Sequence, residues 1–234
     1  MTVNLTYFKG RGRAETTRWM LAANQIDFTN TAIETPEDLS QLRATGKLPF
    51  DQLPLLEIDG RCLSQSSAMV RYLARQGGFY GDNDKQAADC DLVAGVVADF
   101  AEAALQAAFQ PTPQAAIDML TARFAKFGPC FEAWITANGN GVCAGNRLSF
   151  ADIVLAEALS GYLEHCPQIL DQTPHLKALI ERVLEMPGIK RYLASDLRYP
   201  KPGASYVIDA ARVLERALPG HMPDADRFVP SSAS

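Results

Sequence analysis

The sequence predicts a small α/β unit with a mixed four-stranded sheet, followed by an all-α domain. Two observations carry this. Residues 1–81 switch between period-2 and helical spacing, whereas the chain beyond is alanine- and leucine-rich and loses strand character. A glycine-rich polar stretch, 76–82, lies between the two regimes and reads as a linker. The expected domains are therefore 1–81 (α/β) and 82–222 (helical), with a flexible polar tail at 223–234.

Each element has its own signal. Val3, Leu5 and Tyr7 alternate with Asn4 and Thr6, which marks a half-buried strand. After Gly12 the apolar spacing becomes helical, through Thr17, Met20, Leu21 and Asn24. Residues 28–33 read as a second strand. Asp59-Gly60 between two strand-like runs predicts a hairpin. Helical spacing resumes from Ser66 through Met69, Tyr72 and Leu73. The segment between the second strand and the hairpin reads as irregular. In the second domain, Leu92, Val96, Phe100 and Ala103 form one predicted stripe, and Leu155, Ala158, Leu159 and Tyr162 another. Pro111 and Pro113 place a loop between its first two helices. Ser149 and Asp152 have capping-box spacing, with Leu148 and Ile153 as the staple. A last helix covers 204–218, with Val207, Ala210, Ala211 and Leu214 on one face.

Composition narrows the function. The 234 residues are 47% apolar, enough for a sizeable core. With 22 basic and 27 acidic residues the net charge is −5, which gives no electrostatic case for a nucleic acid or an anionic membrane as partner. No apolar run is long enough to span a bilayer, and the first residues lack a secretion signal. The five cysteines are scattered without a C-x-x-C pair, as in a reducing, cytoplasmic setting. The three histidines have no metal-ligand spacing, so no metal is expected.

Three segments could carry chemistry. Tyr7 sits at a strand tip, just before Arg11-Gly12-Arg13-Ala14-Glu15 and a helix start. A hydroxyl and guanidinium there could hold a thiolate. Taken alone, Tyr7 is equally a packed aromatic, and Arg11 and Arg13 are solvated charges. Pro54, after Leu53, opens an apparently internal strand and so marks an edge, a bulge or a cis bond. A cis bond would turn the Leu53 backbone toward an extended peptide. Ser66 reads as an N-cap, and the first amides of its helix could accept a carboxylate.

These segments, together with Leu53-Pro54-Leu55-Leu56-Glu57-Ile58-Asp59-Gly60 and Gly145-Asn146-Arg147-Leu148-Ser149-Phe150-Ala151-Asp152, resemble a cytosolic glutathione transferase of the tyrosine type, on the alpha and sigma side. The resemblance implies a thioredoxin-like N-terminal domain, an all-helical C-terminal domain and a homodimer, with glutathione as co-substrate and a hydrophobic electrophile as acceptor. It implies that Tyr7 stabilises the thiolate and Arg13 strengthens it. Arg43 would bind the glycine carboxylate, Gln52, Leu53 and Pro54 the peptide backbone, and Gln65 and Ser66 the γ-glutamyl carboxylate. Asp99 would reach the γ-glutamyl amine in the neighbouring subunit, and Phe50 would insert into that subunit. The acceptor would lie between Phe8, Gly10, the loop after Phe100 and the C-terminal helix at Val207, Ala211 and Leu214, residues that equally could close the core. Lys126 stands where the alpha pattern has an arginine and lacks its planar fork. Isomerase or peroxidase chemistry with the same co-substrate, and a non-catalytic structural role, are the alternatives.

Overall fold

The computed structural model describes residues 3–218. The expected tail lies outside the described residues, as do the last residues of the expected helical domain.

Four strands, β1 (Val3–Phe8), β2 (Phe28–Ile33), β3 (Leu55–Ile58) and β4 (Arg61–Ser64), form one sheet in the order β2-β1-β3-β4. β1 and β2 run parallel, from Val3 opposite Phe28 to Phe8 opposite Ile33, and helix α1 (Glu15–Ala23) makes the crossover. β3 is antiparallel to both neighbours, with Leu5 opposite Leu56 in the core. The hairpin turn places Asp59 and Gly60 at φ 50° and 73°, the left-handed region that an Asp-Gly pair tolerates.

The region expected to be irregular contains a helix, α2 (Pro36–Ala44). Thr35 caps it: its hydroxyl accepts from the Asp38 amide, and the Asp38 carboxylate accepts from the Thr35 amide. Leu39 is its one buried residue, so the helix offers almost no apolar periodicity. Helix α3 (Ser66–Gln76) also departs from expectation. Ser66 is its first helical residue, and Gln65 stands at the cap position without a side-chain cap bond.

The helical domain comprises α4 (Asp84–Ala107), α5 (Pro113–Asn138), α6 (Phe150–Leu163), α7 (Pro174–Leu184), α8 (Pro187–Leu193) and α9 (Ala204–Val213). α6 is the central rod, buried on nearly every side, as its all-round apolar sequence requires. The expected α4 stripe holds at Phe100 and Ala103, both buried, and slips by one position in the turns before them. Cys90, Val93, Val97 and Phe100 are buried, whereas Leu92 is 52% exposed. Apolar residues occupy two faces of α4, and only contact with α6 selects between them. Phe100 stacks on Tyr162 of α6 at 4.2 Å, and the Tyr162 hydroxyl donates to the Phe100 carbonyl. At the start of α6, Asp152 accepts from the amide and hydroxyl of Ser149 and from the Cys143 amide, each at 2.7 Å. The 76–82 stretch is docked on this domain: Tyr80 packs on Phe150, and the Phe150 amide donates to the Phe79 carbonyl.

A buried ion pair holds α1 to both domains. Arg18 is 1% exposed and Glu15 is 3% exposed, and they pair at 3.1 Å. Glu15 also accepts from Trp19 and from the Tyr192 hydroxyl of α8, at 2.9 and 3.0 Å for the latter. Arg18 donates to Asn30 and to the carbonyls of Gly10 and Arg11. Removing the guanidinium strands a carboxylate inside the protein. We expect Arg18→Met to lower unfolding free energy by about 3–5 kcal/mol, read from the urea midpoint. A loss below about 1 kcal/mol would show that the pair carries little.

Candidate active site

β1, an inner strand, delivers Tyr7 to its C-terminal end, and the chain then folds back through Gly10-Arg11-Gly12 into a single 3-10 turn (Gly12–Ala14). The Gly10 amide closes onto the Phe8 carbonyl at 2.7 Å, and Arg18 pins the carbonyls of Gly10 and Arg11 from beneath. This curl brings the Arg13 backbone amide onto the Tyr7 hydroxyl oxygen at 3.2 Å.

Gly12 has φ +41°, and a Cβ there would lie 2.6 Å from the Tyr7 hydroxyl and 2.4 Å from that of Tyr206. Two phenols therefore meet at this glycine. The Tyr206 ring, from α9, lies on the backbone: a Cβ on Gly10 would come within 2.3 Å of it. Burial raises the Tyr206 pKa, and the neighbouring Tyr7 raises it further, so the hydroxyl stays protonated. Sequence reasoning missed Tyr206. It is one tyrosine in a short amphipathic helix, and nothing local says which face it occupies.

A second group forms around β3. The Leu53–Pro54 bond is cis. The side chains of Gln52 and Gln65 hydrogen-bond to each other, which brings together two residues expected to share a ligand. Gln65 stands at φ 68°, an uncommon conformation for a side chain-bearing residue and one found at ligand sites. Ser66 follows, half-buried at the start of α3.

Other expected residues are engaged elsewhere. The Arg13 guanidinium pairs with Glu102 at 3.0 Å. Arg43 forks onto Asp51 at 2.6 and 3.1 Å. Asp99 is exposed on α4, and its carbonyl accepts from Arg123. Lys126 lies over the Phe127 ring. Phe50 is 69% exposed in the loop before β3.

A cavity of about 210 Å³ runs from Gly12, Arg13 and Ser66 into the seam between α1, α4 and α6. Val97, Ala101, Ala104, Leu105 and Ala158 form its apolar wall, and Glu157, Glu164, Arg198 and Lys201 its polar end. None of Phe8, Gly10, Val207, Ala211 or Leu214, the residues expected around the acceptor, lines this cavity. Phe8 and Leu214 pack with Ile33, Leu39 and Val213, Val207 and Ala211 pack with Leu218, and Tyr206 covers Gly10. The apolar side of α9 is consumed in closing these small clusters.

The chain offers no activated nucleophile at Cys90 or Cys143, because burial pushes both thiols up. Among the described residues no group of His, Cys, Asp and Glu is placed to hold a metal ion, and no helix is long and apolar enough to cross a membrane.

A four-stranded sheet carrying a tyrosine at the end of an inner strand, joined to a bundle built on a buried central helix, defines a glutathione-transferase architecture. Two family descriptions match: the N-terminal domain of glutathione S-transferases over residues 3–75 and their C-terminal domain over residues 98–196. Glutathione S-transferase alpha I of Oryctolagus cuniculus is 38% identical over 192 residues, 81% of this chain and 86% of its own. Glutathione S-transferase A1 of Bos taurus is 36% identical over 211 residues, 89% of this chain and 95% of its own. Among solved structures, the glutathione S-transferase from Ascaris lumbricoides superposes with a TM-score of 0.72 at 31% identity, covering 86% of this chain and 98% of its own. Prostaglandin synthase D of Nilaparvata lugens gives 0.71 at 29% identity, covering 86% and 100%. The chain belongs to the glutathione S-transferase family.

Gly12 is the residue the corner can least replace. Gly12→Ala puts a methyl group between both hydroxyls at an unfavourable φ. We expect at least a tenfold loss of transferase turnover, on the order of 1.4 kcal/mol, with the far-ultraviolet spectrum unchanged. Full turnover in that variant would mean that the corner is not where the chemistry occurs.

Proposed function

We propose that this enzyme ionises the thiol of glutathione at Tyr7 and directs the thiolate onto a hydrophobic electrophile, forming a thioether. The observation that carries the reading is the Tyr7 hydroxyl, whose oxygen accepts the Arg13 amide and which meets the Tyr206 hydroxyl at Gly12. A hydroxyl polarised in this way is a better donor to an anion. Lowering a thiol pKa from about 8.5 to about 6.5 requires roughly 2.7 kcal/mol. Hydrogen bonds to a charged acceptor contribute about 1.5–3 kcal/mol each, so one or two are enough.

The binding groups follow the same logic. Gln52, the Leu53 backbone beside Pro54, Gln65 and Ser66 would hold the tripeptide along β3 and the start of α3. Arg13 and Arg43 are held in exposed ion pairs with Glu102 and Asp51. Exposed pairs are worth about 0–1 kcal/mol, so both cations can turn to an anionic ligand at little cost. Phe50 and Leu92 stay exposed on the single chain and would be covered in a homodimer, which would also bring Asp99 to the second site. The enzyme would work in the cytoplasm. The likeness to an insect prostaglandin synthase favours a second use of the same thiolate, in isomerisation, and side-by-side turnover of both substrate classes separates the two.

Tyr7→Phe removes the donor and keeps the ring. We expect conjugation of chlorodinitrobenzene to fall by about one to three orders of magnitude with glutathione affinity little changed. Unchanged kcat/KM in this variant would remove Tyr7 from the mechanism. Phe50→Ala should shift the sedimenting species from dimer to monomer, and an unaltered dimer would place the contact elsewhere.

A further inference from the structure

The polar end of the cavity holds three carboxylates, two of which are spent. Glu15 is taken by Arg18, Trp19 and Tyr192. Glu164 is taken by Arg11, which forks onto it at 2.7 and 2.9 Å, and by Arg198 at 3.2 Å. Glu157 is different. Among the described residues its one hydrogen-bond partner is the Thr16 hydroxyl, at 3.0 Å, and it has no ion pair. Arg198, beside it, has a buried Nε without a partner.

The surroundings of Glu157 keep a proton on it. Burial pushes its carboxyl up to about 8, the Glu15 charge adds to this, and Arg11 and Arg198 offset only part. The residues just past the end of its helix contribute Glu164 and His165, the latter held low by burial and by Lys201. The facing surface of α4 is uncharged at Ala101, Ala104 and Leu105, and α3 presents Ser66, Ser67 and Arg71, of which Arg71 pairs with Asp91. A protonated carboxyl here is a hydrogen-bond donor facing an apolar space.

That space reaches the reaction centre. Gly12 and Arg13, which flank the Tyr7 hydroxyl, line the same cavity as Glu157. Thr16, which holds Glu157, lies about one helical turn beyond them, roughly 5 Å along the axis. Tyr7 itself does not line the cavity, and an acceptor in it would meet Gly12 and Arg13, beside the thiolate site, at one end and the carboxyl at the other.

We propose that Glu157 is the proton donor for acceptors that must gain a proton when the thiolate adds, namely conjugated enals and enones. This rests on Tyr7 as the thiolate site. The sulfur lone pair forms the S–C bond at the β-carbon, and the C=C π pair moves onto the enolate. The Glu157 proton passes to that enolate, giving a saturated carbonyl thioether. Glu157 then regains a proton from water, matching the one the thiol released. Chlorodinitrobenzene sets the contrast: it expels chloride and takes up no proton.

The test measures kcat/KM for a conjugated enal and for chlorodinitrobenzene across pH, in the wild type and in Glu157→Gln. The enal-to-chlorodinitrobenzene ratio should drop roughly tenfold or more in the variant. In the wild type that ratio should fall as pH rises through about 8, because the donor is then ionised. In the variant it should be flat. A ratio that changes less than about twofold, with the same pH profile in both proteins, overturns the proposal, as does a wild type that does not turn over the enal. If Glu157→Gln does not fold, the wild-type ratio against pH decides alone. Absence of chlorodinitrobenzene conjugation in the wild type would instead overturn the Tyr7 reading.

Discussion

The guanidinium of Arg18 is the constraint on which the rest depends. It is buried between the domains, neutralised by Glu15, and turned so that its remaining protons hold the carbonyls of Gly10 and Arg11. A buried ion pair is a poor source of net stability, because desolvation offsets most of the attraction. Its value here is geometric. The Gly10 and Arg11 carbonyls lie in a tight turn, where only the Ala14 amide also reaches Arg11, and a fixed fork of donors sets their direction. Once they are fixed, the Arg13 amide falls on the Tyr7 oxygen, beside the Tyr206 hydroxyl.

The charges around the site divide by burial. Arg18 is buried and Arg11 and Arg198 are half-buried, and all three are committed to Glu15 and Glu164. Arg13 and Arg43 lie at the surface in pairs that solvent weakens. The first set builds the corner, and the second can exchange partners when an anion arrives. Glu157 belongs to neither set. The arginines around it pair with Glu15 and Glu164, and among the described residues none pairs with Glu157.

Much of the fold was legible in the sequence, for local reasons. The period-2 run at 3–7, the Asp-Gly turn and the Ser149/Asp152 spacing are short-range signals, and each matches the structure. Helix α2 was missed because its evidence is a cap, Thr35 with Pro36 and Asp38, rather than an apolar stripe. The stripe on α4 slipped because two of its faces are apolar and the choice is made by α6, which no local window contains. The same limit governs the site. Tyr7, Gln65 and Ser66 are marked by motifs, and the structure brings Gln65 onto Gln52. Tyr206, Glu157 and Arg198 come from separate helices and a loop, and only packing makes them neighbours of Gly12 and Thr16. The acceptor was expected against Phe8, Gly10, the segment after Phe100 and α9; the cavity beside Gly12 is walled by α4 and α6, and α9 spends its apolar side on closure.

The most direct measurement is the ultraviolet absorbance of the thiolate as enzyme-bound glutathione is titrated with base. The thiol should ionise at least about two pH units below its value in free solution. Tyr7→Phe should return most of that difference. A bound thiol that titrates as it does in buffer would contradict the account, whatever the family likeness.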